Sequence, residues 1–452
     1  MDYPQLPARL ASELAQHHER NPGSLAQYQA ARHLFTGVPM TWMANWAGGF
    51  PLALHQARGA RITDVDGHTY VDFALGDTGA MAGHSPEPVV RAIDERVARE
   101  GGITVMLPSG DAEWVAADLT RRFGVSQWSF ALSATDANRW ALRLARLATK
   151  RSKILVFSYC YHGSVDETFV VTGDDGVTRS RPGNVAPAVD PALTTVAVEF
   201  NDLDAVARAL RTGEIAAVLT EPALTNIGIV LPEPGFLEGV RSLCDETGTL
   251  LMIDETHTFS AGPGGATRAW DLHPDIVTIG KAIAGGIPIG AFGLKGDLAD
   301  AIFALVEAEG ADIVDVGGIG GTLAGNALSL AAARATLGEV LTDEAFARMI
   351  SLATRLTDQT RASIDRHRLP WSVSQLGARS EYRFCSPAPV NGGQSHAAEQ
   401  GDLDAYLHLY MSNRGVLITP FHNMVLMCPD TTEADVDLHG EIFDQALADL
   451  VA

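Results

Sequence analysis

Five short segments of this chain hold side chains able to do chemistry, and four of them stand where an apolar run ends. Ser133-Ala134-Thr135-Asp136 follows the run WSFALS and opens a helical pattern. Backbone N–H groups at a helix start, flanked by hydroxyls, can cradle a phosphate; a plain helix cap is the simpler alternative. Ser158-Tyr159-Cys160-Tyr161-His162-Gly163 ends KILVFS, and an aromatic there could stack on a flat ring or pack within a loop. Asp254 closes TLLMID, where a buried carboxylate needs a cationic partner, either a protonated ring nitrogen or a nearby Arg or Lys. Lys281 stands between DIVTIG and the loop AIAGG, 27 residues after Asp254. A lysine so placed can lose its charge, as a Schiff-base lysine must, though an isolated one would read as a surface residue. Gly317-Gly318-Ile319-Gly320-Gly321-Thr322 surrounds a hydroxyl with glycine, as an anion-binding or merely flexible loop would.

Taken together and in this order, a phosphate cradle, a stacking aromatic, a carboxylate for a ring nitrogen and a Schiff-base lysine describe a site for pyridoxal 5'-phosphate. The elements that must position them are legible in outline. Apolar runs at 128–133, 153–158, 216–222, 249–255 and 275–280 alternate with helical or loop segments, which predicts a mostly parallel sheet covered on both faces. Ligands of such sheets sit beyond the carboxyl ends of the strands, and Ser133, Glu221 and Asp254 all stand there. The segment around Asp66-Gly67 alternates apolar and polar residues and predicts a hairpin. The stretch 5–32 reads as one amphipathic helix. From about 329 helices return, followed by short strands and a closing helix at 433–450, which predicts a second, α+β domain.

The composition is that of a globular protein. The chain has 452 residues, 46% of them hydrophobic, and a net charge of −22, which argues against a nucleic-acid partner. Its four cysteines lack metal-ligand spacing, so no metal site is expected. With no signal-like N-terminus and no apolar window of membrane length, the sequence predicts a cytoplasmic protein without membrane attachment.

From Gly37 onward the chain resembles the class III aminotransferases, fold type I pyridoxal phosphate enzymes, and especially glutamate-1-semialdehyde aminomutases and β-amino-acid transaminases. The likeness is carried by SATDANRWALRLAR, YCYHG, TEPALTNIGIVLPEPGFLEGVR, LLMIDETHT, GKAIAGGIPIGAFG and GGTLAGN. It implies an α/β fold: a large domain over 61–330 with a mostly parallel seven-stranded sheet, a smaller α+β domain over 331–452, and an N-terminal segment, 1–60, packed with the smaller domain. It also implies that Ser133, Ala134 and Thr135 bind the cofactor phosphate, that Tyr161 stacks on the ring, and that Asp254 pairs with the ring nitrogen. Glu221 would order the site. Lys281 would form the internal aldimine and shuttle the proton. Thr322 would reach the phosphate of a neighbouring subunit, so that a homodimer shares its active sites. The activity implied is transfer of an amino group from an amine or amino acid to a keto acid or other carbonyl acceptor, with an aminomutase or a racemase as the alternative.

Departures from the family pattern bear on the substrate. Ser-Ala-Thr replaces the usual Ser-Gly-Thr, and Thr256-His257 replaces Val-Gln or Val-Met, which would set His257 near the cofactor's phenolic oxygen. His422 takes the place of the aminomutase glutamate. The stretch Met40-Thr41-Trp42-Met43 and the neighbourhood of Phe421 lack the arginines of β-amino-acid transaminases. A substrate carboxylate would then fall to Arg379 or Arg383, of which an exposed edge-strand arginine is the simpler reading. Without such a clamp, an apolar wall of Trp42, Met43 and Trp46 would suit a plain amine.

Overall fold

The computed structural model describes residues 3–452 and divides into two compact units. One comprises 87–343 with 389–397, and the other 3–86, 344–388 and 398–452.

The first unit is built on a seven-stranded sheet. Its spatial order is Gln127–Ala131, Gly290–Leu294, Ile276–Gly280, Leu250–Asp254, Ile215–Thr220, Lys153–Phe157 and Thr195–Val198. All neighbours pair in parallel except Gly290–Leu294, which runs against both of its partners. The central strands are buried along almost their whole length. This burial is why they read as unbroken apolar runs. Helix Ala134–Thr149 turns Ala137, Ala141, Leu142, Leu144 and Ala145 into the core, and helix Phe236–Thr247 contributes Phe236, Leu237, Val240 and Leu243. The strand Gly290–Leu294 is hard to see in the sequence because glycine weakens strand propensity. Its glycines are there for space: a β-carbon on Gly290 would lie 2.2 Å from the Ser133 carbonyl oxygen.

The second unit holds two smaller sheets. Leu54–Arg58, Arg61–Asp64, Thr69–Asp72 and Val416–Leu417 form one, in that order; Ser372–Leu376, Arg379–Arg383 and Met424–Leu426 form the other. The expected hairpin at Asp66-Gly67 is present, with Ile62 opposite Tyr70. The unit boundary lies at 86/87 rather than at 61, because Val71 and Asp72 pair in parallel with Val416 and Leu417 and so belong with the C-terminal segment. At the other end the first unit runs on to 343, beyond the expected 330, and 389–397 joins it through the close approach of Gly392 to Ser158. The long N-terminal helix is in fact two, Leu6–Arg20 and Pro22–Ala30. Pro22 has no N–H for the ladder, and the Asn21 side chain caps the first helix by donating to the His17 carbonyl at 2.8 Å. No helix is long and apolar enough to cross a membrane among the described residues.

Candidate active site

At the phosphate end, Ser133 is the N-cap of helix Ala134–Thr149 and accepts a hydrogen bond from the Asp136 N–H at 3.3 Å. The N–H groups of Ala134 and Thr135 belong to the first helical turn and have no intrahelical acceptor, which leaves them available to an anion. Thr135 is fixed by the Ser164 N–H, which donates to its hydroxyl at 3.0 Å. Ala134 lies at a position without positive φ, so its backbone does not call for glycine. Its methyl group packs close to Gly280, where a β-carbon would approach it to 3.0 Å.

Asp254 ends the central strand Leu250–Asp254 and is 2% exposed. Its Oδ2 accepts from Asn138 Nδ2 at 2.8 Å and from His162 Nδ1 at 3.0 Å, and its Oδ1 accepts from the Thr256 N–H at 3.0 Å. Burial alone would raise this carboxyl, but the His162 hydrogen bond and charge, with Thr256 and Asn138, outweigh it and hold Asp254 below the usual carboxylate range. Burial opposes a charge on His162 in turn, yet Cys160 and Asp254 lift it well above its ordinary value. An ionised carboxylate has about four acceptor directions. Three are used here, and the fourth, on Oδ1, suits the N–H of a protonated pyridine ring.

Asn138 and His162 were not anticipated as site residues. Asn138 receives the Thr278 hydroxyl at 2.6 Å and donates to the His162 carbonyl at 3.0 Å as well as to Asp254, so it ties three segments to the carboxylate. The available signal was a polar side chain inside the apolar stripe of a helix, between Ala137 and Ala141.

Glu221 follows the strand Ile215–Thr220 and is also buried. It accepts from the Thr225 hydroxyl and, at 3.4 Å, from the Tyr161 N–H. Burial pushes its carboxyl up to about 7, with His162 and Thr225 opposing the rise. Tyr161 meets Phe169 edge to face at 6.1 Å. Because folding favours the protonated form of Glu221, the unfavourable effect of ionisation is absent below the unfolded value, near 4.5, and is complete above about 7. Denaturant unfolding at about pH 5 and about pH 8 should therefore show wild type losing about 2–3 kcal/mol relative to Glu221→Gln. Parallel curves for the two proteins would contradict this.

Lys281 lies just beyond strand Ile276–Gly280 with φ 49°, a left-handed conformation uncommon for a side-chain-bearing residue and concentrated at functional positions. Its Nζ is 2.9 Å from His257 Nε2. His257 thus meets the lysine nitrogen itself. The neighbouring Glu255 turns the other way, accepting from the Thr258 hydroxyl and from the Ala266 and Thr267 N–H groups. Thr322 is exposed at the end of its glycine-rich loop.

The first unit therefore brings Ser133, Ala134, Thr135, Tyr161, Glu221, Asp254, His257 and Lys281 to one end of its sheet, while the four proposed substrate residues belong to the second unit. Trp42 packs edge-on against Phe421 at 5.5 Å, Trp46 is half-buried, and His422 Nδ1 lies 3.7 Å from Glu381 Oε1. Arg379 is not at an exposed edge. Its strand is the middle one of three, flanked by Met424–Leu426, so the side chain is only 1% exposed and donates to the Thr78 hydroxyl at 2.6 Å. Arg383 is buried too.

A helix-borne phosphate cradle, a buried ionised carboxylate and a lysine at a strand end on a mostly parallel sheet define a pyridoxal phosphate enzyme of fold type I. Residues 42–447 match the family Aminotransferase class-III, and the chain belongs to that family. Among its relatives, glutamate-1-semialdehyde 2,1-aminomutase of Chloroflexus aggregans is 34% identical over 448 residues, covering 96% of this chain and 99% of its own. The crystal structure of a glutamate-1-semialdehyde aminomutase from Pseudomonas aeruginosa PAO1 is 48% identical, with a TM-score of 0.96 and coverage of 100% and 99%. An omega-transaminase from Sphaerobacter thermophilus is more distant, at 26% identity and a TM-score of 0.85, with coverage of 96% and 100%.

Proposed function

We propose that this chain is an aminomutase, which moves an amino group between neighbouring carbons of one small amino-carbonyl compound, and that it works in the cytoplasm as a homodimer. The observation that carries the chemistry is Asp254, a buried carboxylate held ionised with one acceptor direction left over. The preference for isomerisation rests on the full-length likeness to proteins named as glutamate-1-semialdehyde aminomutases.

When bound, pyridoxal phosphate supplies an electron sink for the carbon that loses a proton. Ser133 with the Ala134 and Thr135 N–H groups would hold its phosphate, aided by Thr322 of a second subunit. Tyr161 would flank the ring, and Glu221 would order the ring's surroundings. Asp254 would keep the ring nitrogen protonated, and Lys281 would anchor the aldehyde carbon and move the proton. Trp42, Trp46 and His422, with Arg379 or Arg383 for a carboxylate, would contact the substrate.

A second reading, amino transfer to an external keto acid or carbonyl, is favoured by His422. Where the aminomutase pattern has a glutamate, this chain has a histidine whose Nδ1 lies 3.7 Å from Glu381 Oε1. Incubation with glutamate 1-semialdehyde and no second carbonyl separates the two. Accumulation of the isomer with amine and carbonyl exchanged supports the aminomutase. Absence of the isomer, with free keto product from a panel of amines and amino acids, supports transfer.

Arg379 carries its own expected result. Removing a buried guanidinium leaves its partners unsatisfied, so Arg379→Ala should lose about 2–4 kcal/mol of stability in denaturant unfolding. If it also clamps a carboxylate, KM for an amino acid should rise at least about tenfold more than for the matching plain amine. Equal losses would make it structural only, and unchanged stability would contradict the burial argument.

A further inference from the structure

We propose that His257 is a further catalytic residue of this site, the proton acceptor that converts the Lys281 ammonium group to a free amine. The inference rests on the reading of Lys281 as the cofactor's lysine and adds a named base to it.

The carrying observation is the 2.9 Å contact between His257 Nε2 and Lys281 Nζ, with the imidazole only 7% exposed. A free ammonium titrates near ~10.4 and an imidazole near ~6.5. Where lysine holds the proton, Nζ donates and the lone pair of a neutral Nε2 accepts. Two adjacent cations would repel, which disfavours protonating both groups at once. Transfer is a single movement. The Nζ–H bond breaks with its electron pair left on nitrogen, Nε2 forms the new N–H bond, and the single positive charge passes to the ring. The product amine is nucleophilic, as the ammonium is not.

The backbone turn that carries His257 is held in place. The His257 carbonyl accepts from the Ser260 N–H at 3.3 Å and from its hydroxyl at 3.1 Å, fixing the turn. Glu255 anchors the same turn to Ala266 and Thr267. A β-carbon on Gly265 would come within 2.4 Å of the Glu255 carboxylate, so the close fit extends to the backbone there. The other ionisable groups of adjoining elements are already engaged: Asp254 with His162, Glu221 with Thr225 and the Tyr161 N–H.

The test uses the full chain freed of cofactor. Pyridoxal 5'-phosphate is added and the rate of covalent capture by lysine is followed by absorbance across pH, for wild type, His257→Gln and His257→Leu. Capture at pH 7 should slow at least about tenfold in both variants, because neither side chain takes up a proton, and should recover at higher pH as the lysine gives up its proton to solvent unaided. A glutamine variant matching wild type in rate and pH profile would overturn the proposal, leaving only a positioning contact. Binding of pyridoxamine 5'-phosphate, which cannot bond to lysine, is measured alongside, and capture rates are compared at cofactor concentrations that saturate each protein. On unmutated protein, the NMR signal of the His257 ring should remain that of a neutral imidazole at pH 6, and Lys281→Ala should shift its titration upward. A ring already protonated at pH 7 beside an intact Lys281 would overturn the proposal without recourse to the variants. If wild type captures the cofactor on another lysine, the cofactor-lysine reading itself fails.

Discussion

Replacing Lys281 by alanine should lower turnover at least about ten-thousand-fold while the chain stays folded. The nitrogen lost is the one group in the site able both to bond the aldehyde carbon and to carry a proton. The contacts expected to hold the phosphate and the ring nitrogen involve other residues, so pyridoxamine 5'-phosphate should still bind. The backbone offers a second readout. Lys281 sits at φ 49°, where glycine is at ease and alanine is not. Lys281→Gly should therefore unfold at higher denaturant than Lys281→Ala, by about 1 kcal/mol. Substantial turnover in either variant, measured by product formation, would remove Lys281 from the mechanism.

Asp254→Asn should slow proton removal from the amine substrate by about a hundred- to a thousand-fold, read as the rate of the first half-reaction in stopped flow. Two effects act together. The ring nitrogen loses its anionic partner, and the new amide must meet Asn138 and His162, both of which donate to Oδ2 in the native site. An amide placed with its nitrogen there would oppose donor to donor; turned over, it would present that nitrogen toward the ring. Cofactor affinity should fall less than the rate, because the phosphate contacts are untouched. A half-reaction near the wild-type rate would contradict the role given to Asp254.

What could be read from the sequence was whatever the chain writes locally. A polar residue closing an apolar run marks the carboxyl end of a buried strand, and Glu221 and Asp254 follow that rule. Ser133 and Lys281 stand just past such runs for the same reason. The Asn138 network was not legible because its partners come from 24 to 140 residues away and its own segment resembles any amphipathic helix. The burial of Arg379 depends on Met424–Leu426 pairing alongside its strand, which nothing near residue 379 announces. The same holds for the unit boundary, set by Val416 and Leu417 pairing with Val71 and Asp72. His257 was recognised as unusual from its motif, but only the geometry of the turn carries its imidazole to the lysine nitrogen.

The most direct measurement is reduction of the cofactor-loaded protein with borohydride, followed by proteolysis and mass spectrometry. The account predicts that the yellow colour bleaches and that the cofactor's mass is fixed on the peptide containing Lys281, once per chain. Cofactor fixed to Lys295 or any other lysine, or a protein that binds pyridoxal phosphate with no reducible bond, would contradict it.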